Sequence, residues 1–270
     1  MRVIVYLPYD SGTFGVFVEF NILSPFLWRM SELLEGTAMR LEPTEAAIRV
    51  MQRNYPDCLL AVLGGSASCG EYNEQSDLDI IVIERDGYDF SRKTIEAHGW
   101  IAEIFILSLS SYREYFDEGV LAANPSLQRM VAEGTVLRSL PEGVEVRADA
   151  RRDLNYGPMP LSPSDIAEYR YILTEFLLDL TSPRREGEKW FTVHKIASTL
   201  CEFVLRANRE WTGEGKMLFR LFNRYSPALG DRLEAALLAI YREDDPEDLI
   251  ALTEEVLSPY GGKLLVGYEE

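Results

Sequence analysis

The sequence predicts two parts in series: an α/β (α+β) domain, then an all-α helical bundle domain. Three observations predict this. Short apolar runs at residues 58–63, 78–83 and 100–107 alternate with Gly- and Asp-rich turns, as buried strands of a helix-covered sheet do. Gly157-Pro158-Met159-Pro160 then breaks the pattern. Beyond it, apolar residues recur at helical spacing between short polar joints, which reads as a bundle. The boundaries drawn from these breaks are 1–40 for an N-terminal extension or edge strands, 41–158 for the α/β domain and 159–270 for the helical domain.

Each element has its own reason. Residues 2–7 and 16–20 are apolar enough for strands. They either add to the sheet edge or precede a start at Met39. Thr44 reads as an N-cap, with Ala47, Ile48, Met51 and Tyr55 behind it at helical spacing and Pro56-Asp57 as the stop. The three apolar runs follow as strands. Ser162-Pro163-Ser164-Asp165 is a strong helix start, with Ser as cap, Pro at the first helical position and an acid three residues after the cap. Ile166, Tyr169, Leu173, Phe176, Leu177 and Leu180 form the apolar face behind it, and Val193, Ile196, Leu200 and Val204 form that of the next helix. Further amphipathic stretches run over 216–222, 227–241 and 246–257. Asp244-Asp245-Pro246-Glu247-Asp248 reads as a helix start, not a metal site.

Charge narrows the function. The chain has 270 residues and a net charge of −17. Such a field repels phosphate backbones, which disfavours nucleic acid as the main partner, and it attracts Mg²⁺ and polycationic small molecules. Most of these carboxylates nevertheless read as solvated helix faces. No apolar run reaches the ~20 residues of a membrane-spanning helix, so no membrane partner is expected. The first residues lack a small-residue cleavage site, so no signal peptide is expected either. Cys58, Cys69 and Cys201 have neither metal-ligand nor disulfide spacing, which suits a reducing cytoplasm.

The chemistry concentrates at residues 60–83, LAVLGGSASCGEYNEQSDLDIIVI. An apolar strand runs into Gly64-Gly65-Ser66, and Ser76-Asp77-Leu78-Asp79 opens the next strand. Residues two apart on a strand point to one face, so Asp77 and Asp79 aim at one point. Two converging carboxylates repel unless a cation joins them. Gly65 lets the backbone approach a phosphate, and Ser66 offers a hydroxyl and an N–H. Glu103 is the single charge within Trp100-Ile101-Ala102-Glu103-Ile104-Phe105-Ile106-Leu107. A carboxylate there is costly unless it is paired or binds metal. If its strand lies beside the Asp77–Asp79 strand, the acids form a cluster suited to two-metal phosphoryl or nucleotidyl transfer, with Glu103 as metal ligand, general base or both.

Gly65-Ser66, Gly70 and Ser76-Asp77-Leu78-Asp79 resemble the G-S-x-A-x-G-x5-S-D-h-D pattern of DNA-polymerase-β-like nucleotidyltransferases, h being apolar. The small bacterial kind that includes aminoglycoside adenylyltransferases is the nearest in pattern. The spacing matches without insertion. Ser68 departs from the usual Ala, and Cys69 stands where a basic residue is common, which puts a phosphate contact at that position in doubt. The resemblance implies a mixed sheet and a helical domain that closes over the nucleotide. It implies Asp77, Asp79 and Glu103 as catalytic residues and ligands of two Mg²⁺ ions, with Gly65, Ser66 and Ser76 at the nucleotide. It also implies ATP or another NTP as donor and a small-molecule hydroxyl, aminoglycoside-like, as acceptor. Asn208 to Lys216 is similar to an N-x-x-W-x-G-x-G-K pattern in bacterial proteins with such a domain. By analogy Lys216 reaches the triphosphate; its other reading is an exposed lysine in a turn.

Other candidates are weaker. Trp211 stacks on a ligand or, more in keeping with its position, joins the core. His98 and His194 have no metal partner at ligand spacing. Cys69 reads as a small side chain that fits its loop. Glu175 and Asp179, a helical turn apart, either face a cleft and bind a cationic acceptor or lie on a solvated face. Two alternative functions share the fold: a nucleotidyltransferase that modifies a protein, of toxin–antitoxin type, and a nucleotide-binding module without turnover. The sequence does not determine the oligomeric state.

Overall fold

A computed structural model of the chain describes residues 40–87 and 89–269. The strands expected at 2–7 and 16–20 lie outside the described residues. The first described helix is α1 (Pro43–Asn54). It starts two residues earlier than a Thr44 cap would place it: Glu42 is the N-cap, and its carboxylate accepts from the N–H groups of Thr44 and Glu45. Pro43 takes the first helical position, where its missing N–H costs nothing. Ala46, Ala47, Val50 and Met51 form the buried stripe.

The sheet is mixed and has five strands in the order β3-β4-β2-β1-β5. They are β1 (Leu60–Leu63), β2 (Leu78–Glu84), β3 (Phe90–Ala97), β4 (Trp100–Ser108) and β5 (Thr135–Ser139). β2 and β4 are parallel; the other pairs are antiparallel. The three apolar runs correspond to β1, β2 and β4. β3 was not expected, because only the rim of the sheet needs it and its residues are mostly exposed. A tight turn joins it to β4, with His98 at φ 53° and Gly99 at φ 79°, the conformation that favours glycine in hairpins.

Helices cover both faces. On one, Ala46, Val50 and Met51 of α1 pack against Leu63, Ile80, Val82 and Ile104. On the other, α3 (Tyr112–Leu121), α4 (Ser126–Glu133) and α5 (Pro141–Tyr156) bring Phe116, Val131, Val146 and Ala150 against Leu60, Val62, Ile81, Ile83 and Leu107. A one-turn helix, α2 (Gly65–Cys69), follows β1.

The remainder is helical: α6 (Pro163–Thr181), α7 (Glu186–Ala207), α8 (Lys216–Tyr225), α9 (Pro227–Glu243) and α10 (Glu247–Leu257). The expected capping box is present: Ser162 Oγ accepts from Asp165 N at 3.1 Å, and the Asp165 carboxylate from Ser162 N at 2.7 Å. These helices share a core that includes Leu173, Ile196, Leu200, Phe203, Phe222 and Ile240. Asp244 ends α9 in a left-handed conformation and pairs with the buried Lys189, while the next helix begins at Glu247. No described helix is long and apolar enough to cross a membrane.

Candidate active site

Strand register builds the site. Asp79 on β2 is the direct partner of Glu103 on the parallel strand β4. The two side chains therefore leave the same face, the one carrying Ile81, Ile83 and Leu107 toward α3, α4 and α5. Asp77 lies two residues before Asp79, at the mouth of β2. The carboxylates of Asp77, Asp79 and Glu103 each offer an oxygen, and these oxygens lie within 4.8 Å of one another. All three residues are half-buried. The convergence has an electrostatic cost. Burial, and then the charges of Asp77 and Glu103, push the Asp79 carboxyl up to about 6.

Gly65 makes room for this cluster. Its φ of 61° is left-handed, and a Cβ there would run into the Asp79 carboxylate. Only glycine satisfies both constraints. Gly64 N donates to Asp79 O at 2.7 Å, which ties the end of β1 to the start of β2. Ser66 is half-buried in the first turn of α2 beside it. Ser76 Oγ accepts from Asn73 N at 2.9 Å and so closes the turn that leads into Asp77.

Two cations serve the acids. Arg92 on β3 forms an ion pair with Glu103. Lys216 opens α8, behind Gly215 at φ 53°. Its charge acts weakly on the Asp79 carboxyl, lowering it against the neighbouring acids. Sequence reasoning missed Arg92 because it missed β3. The signal was the His98-Gly99 turn, since a tight turn before a strand implies a partner strand on its other side.

A further device holds the loop. The Arg40 guanidinium lies 3.3 Å from the centre of the Trp100 ring and donates to Asn73 O at 2.8 Å and Ser76 O at 2.6 Å. The Trp100 indole donates to Leu41 O at 2.8 Å. A stacked and doubly bonded arginine fixes backbone carbonyls with little freedom, so the approach to Asp77 is pinned.

Residues 45–114 match the family model described as the nucleotidyltransferase domain, a span that includes all three acids. Over that span the chain is similar to a nucleotidyltransferase domain. Among solved structures, a nucleotidyltransferase-like protein from Exiguobacterium sibiricum 255-15 is similar at 15% identity and a TM-score of 0.43, over 79% of this chain and 73% of that one. No curated protein matches the chain.

The other candidates do not join the three-acid cluster. Trp211 is half-buried, and its indole donates to Leu154 O at 3.0 Å. His194 is exposed on α7, and His98 sits in the β3–β4 turn. Cys69 is exposed; Cys58 and Cys201 are buried, and all three are free thiols. Glu175 lines a cleft of about 620 Å³ between α6 and α7. Asp179, one turn on, is exposed.

Proposed function

We propose that this domain transfers a nucleoside monophosphate, AMP from ATP, to a hydroxyl of a small molecule, with Asp77, Asp79 and Glu103 as catalytic and metal-binding residues. The observation that carries the reading is the three-carboxylate cluster on one sheet face, with oxygens within 4.8 Å. Hard oxygen donors at this spacing, in mutual repulsion and beside a glycine that leaves space, fit Mg²⁺. Two such ions, when bound, lower the pKa of the attacking hydroxyl and neutralise the leaving pyrophosphate.

The chain's own groups do the rest. Gly65 and Ser66 receive the phosphates, and Ser76 shapes the loop that presents Asp77. Lys216 offers its ammonium to the triphosphate from α8. Glu103, oriented by Arg92, accepts the proton of the acceptor hydroxyl. The acceptor oxygen then bonds to the α-phosphorus, the bond to the β-phosphate bridging oxygen breaks, and pyrophosphate leaves. In this reading residues 41–158 form the catalytic domain, and 159–270 form a helical domain over the nucleotide. The α6–α7 cleft supports an amine-bearing acceptor: Glu168, Glu175 and Glu202 line it with Tyr169 and Phe176, against Lys195 and Arg206.

The test is incubation of the chain with labelled ATP, Mg²⁺ and a panel of amine-bearing hydroxyl compounds. The expected result is label in the small-molecule fraction, with pyrophosphate release that Asp77→Asn abolishes. Label in a protein band would replace the acceptor class. ATP binding without pyrophosphate release under every condition would overturn transfer altogether.

A further inference from the structure

A cleft of about 540 Å³, lined by none of the three acids, opens where α4, the end of α5 and α8 meet. Arg129 of α4 and Arg224 of α8 both line it, with Asn155, Trp211 and Tyr225. The cleft lies where the sheet-bearing half meets the helical half. Besides the Trp211 indole bond, Thr212 N donates to Ala123 O at 2.8 Å, and the Arg209 guanidinium donates to Tyr156 O at 3.2 Å.

What sets these two arginines apart is that both line one cleft. Among the described residues, neither guanidinium forms a hydrogen bond to protein or a salt bridge within the usual 4.0 Å. Arg129 is half-buried. Its guanidinium is held below the ordinary arginine range by burial and by the like charge of Arg224, while Glu133 acts the other way. Glu133 and Glu210 also line the cleft, so its charges nearly balance at long range. What remains unused is the donors. Each arginine presents five N–H groups in a planar fork, and a half-buried fork normally finds an acceptor. Two arginines lining one cleft suit a phosphate, which accepts bidentate bonds from more than one arginine. In a chain of net charge −17, nonspecific attraction would not bring an anion here, so the site would rely on these donors.

We infer that Arg129 and Arg224 form a binding site for a phosphate dianion, free or as a monoester, that joins the sheet-bearing half to the helical half. Such a ligand contacts α4 through one arginine and α8, the helix that Lys216 opens, through the other.

The experiment uses the full chain in EDTA, which keeps divalent ions out of the acidic cluster. Inorganic phosphate and a nucleoside monophosphate are titrated by calorimetry at constant ionic strength, with chloride as the reference anion. Saturable phosphate binding is expected in the wild type and in Asp79→Asn. Arg129→Gln and Arg224→Gln should each weaken it by at least about tenfold, and Arg129→Lys should weaken it less than Arg129→Gln. Because Arg224 is exposed, its variant is expected to keep the wild-type circular dichroism spectrum, so a loss there is a loss of the site. Equal affinity for both ligands means that the phosphate group alone is read. Tighter binding of the monoester means that Trp211 or Tyr225 adds a contact. Absence of saturable binding, or binding that both glutamine variants retain, overturns the assignment.

Discussion

Replacing Asp79 by Asn should make the metal-free protein more stable while ending its transfer activity. The carboxyl is pushed from its ordinary value of 3.8 to about 6, by burial first and then by Asp77 and Glu103. The folded state therefore holds this proton more tightly than the unfolded chain does. Stability from this group is complete at pH values below about 4 and is lost as pH rises through about 6. At neutral pH the ionised group then costs about 3 kcal/mol, and its partial exposure reduces that to about 2 kcal/mol. Asn keeps the shape and cannot ionise. At pH 7.5 in EDTA, Asp79→Asn should melt roughly 4–8 °C above wild type, and the two should melt together at pH 4. Thermal melts across that pH range check it. Mg²⁺ should raise the melting temperature of the wild type and leave the variant unmoved. If Asp79→Asn is no more stable than wild type at pH 7.5, or if the same gain persists at pH 4, the electrostatic account of the cluster is wrong.

Other outcomes follow from the same geometry. Lys216→Ala should raise KM for the nucleotide by about tenfold or more and leave the melting temperature nearly unchanged, since the lysine is exposed; steady-state kinetics separates this from a folding defect. Gly65→Ala puts a Cβ into the Asp79 carboxylate at a left-handed φ, so it should cost about 1–3 kcal/mol and most of the activity; urea unfolding and pyrophosphate release measure the two losses. Arg40→Ala frees the loop before Asp77, and should lower kcat more than it raises KM; unchanged kinetics would show that the loop does not need the clamp. Ser162→Ala removes one side of the capping box and should cost about 1 kcal/mol without changing kcat.

The cluster was legible because its parts are local or nearly so. Asp77 and Asp79 share a face by strand alternation alone, and Gly65-Ser66 lies within the same short segment. Glu103 announced itself as the single charge in an apolar run, since burying it without a partner is expensive. The capping box at Ser162 and the helices behind it were readable for the same reason: side chain and backbone partners lie within one turn. What the residues could not say alone was which strand stands next to which. The parallel pairing that sets Asp79 directly against Glu103 is a fact of sheet order, fixed by how the whole chain packs. β3 was hidden because an exposed edge strand needs little apolar sequence, and with it went Arg92. The loop clamp of Arg40 and Trp100 joins residues far apart in the chain. The Arg129–Arg224 cleft does the same. Spacing along a chain determines contacts over one turn or one strand, and contacts between distant segments exist only once the helices have buried their apolar faces.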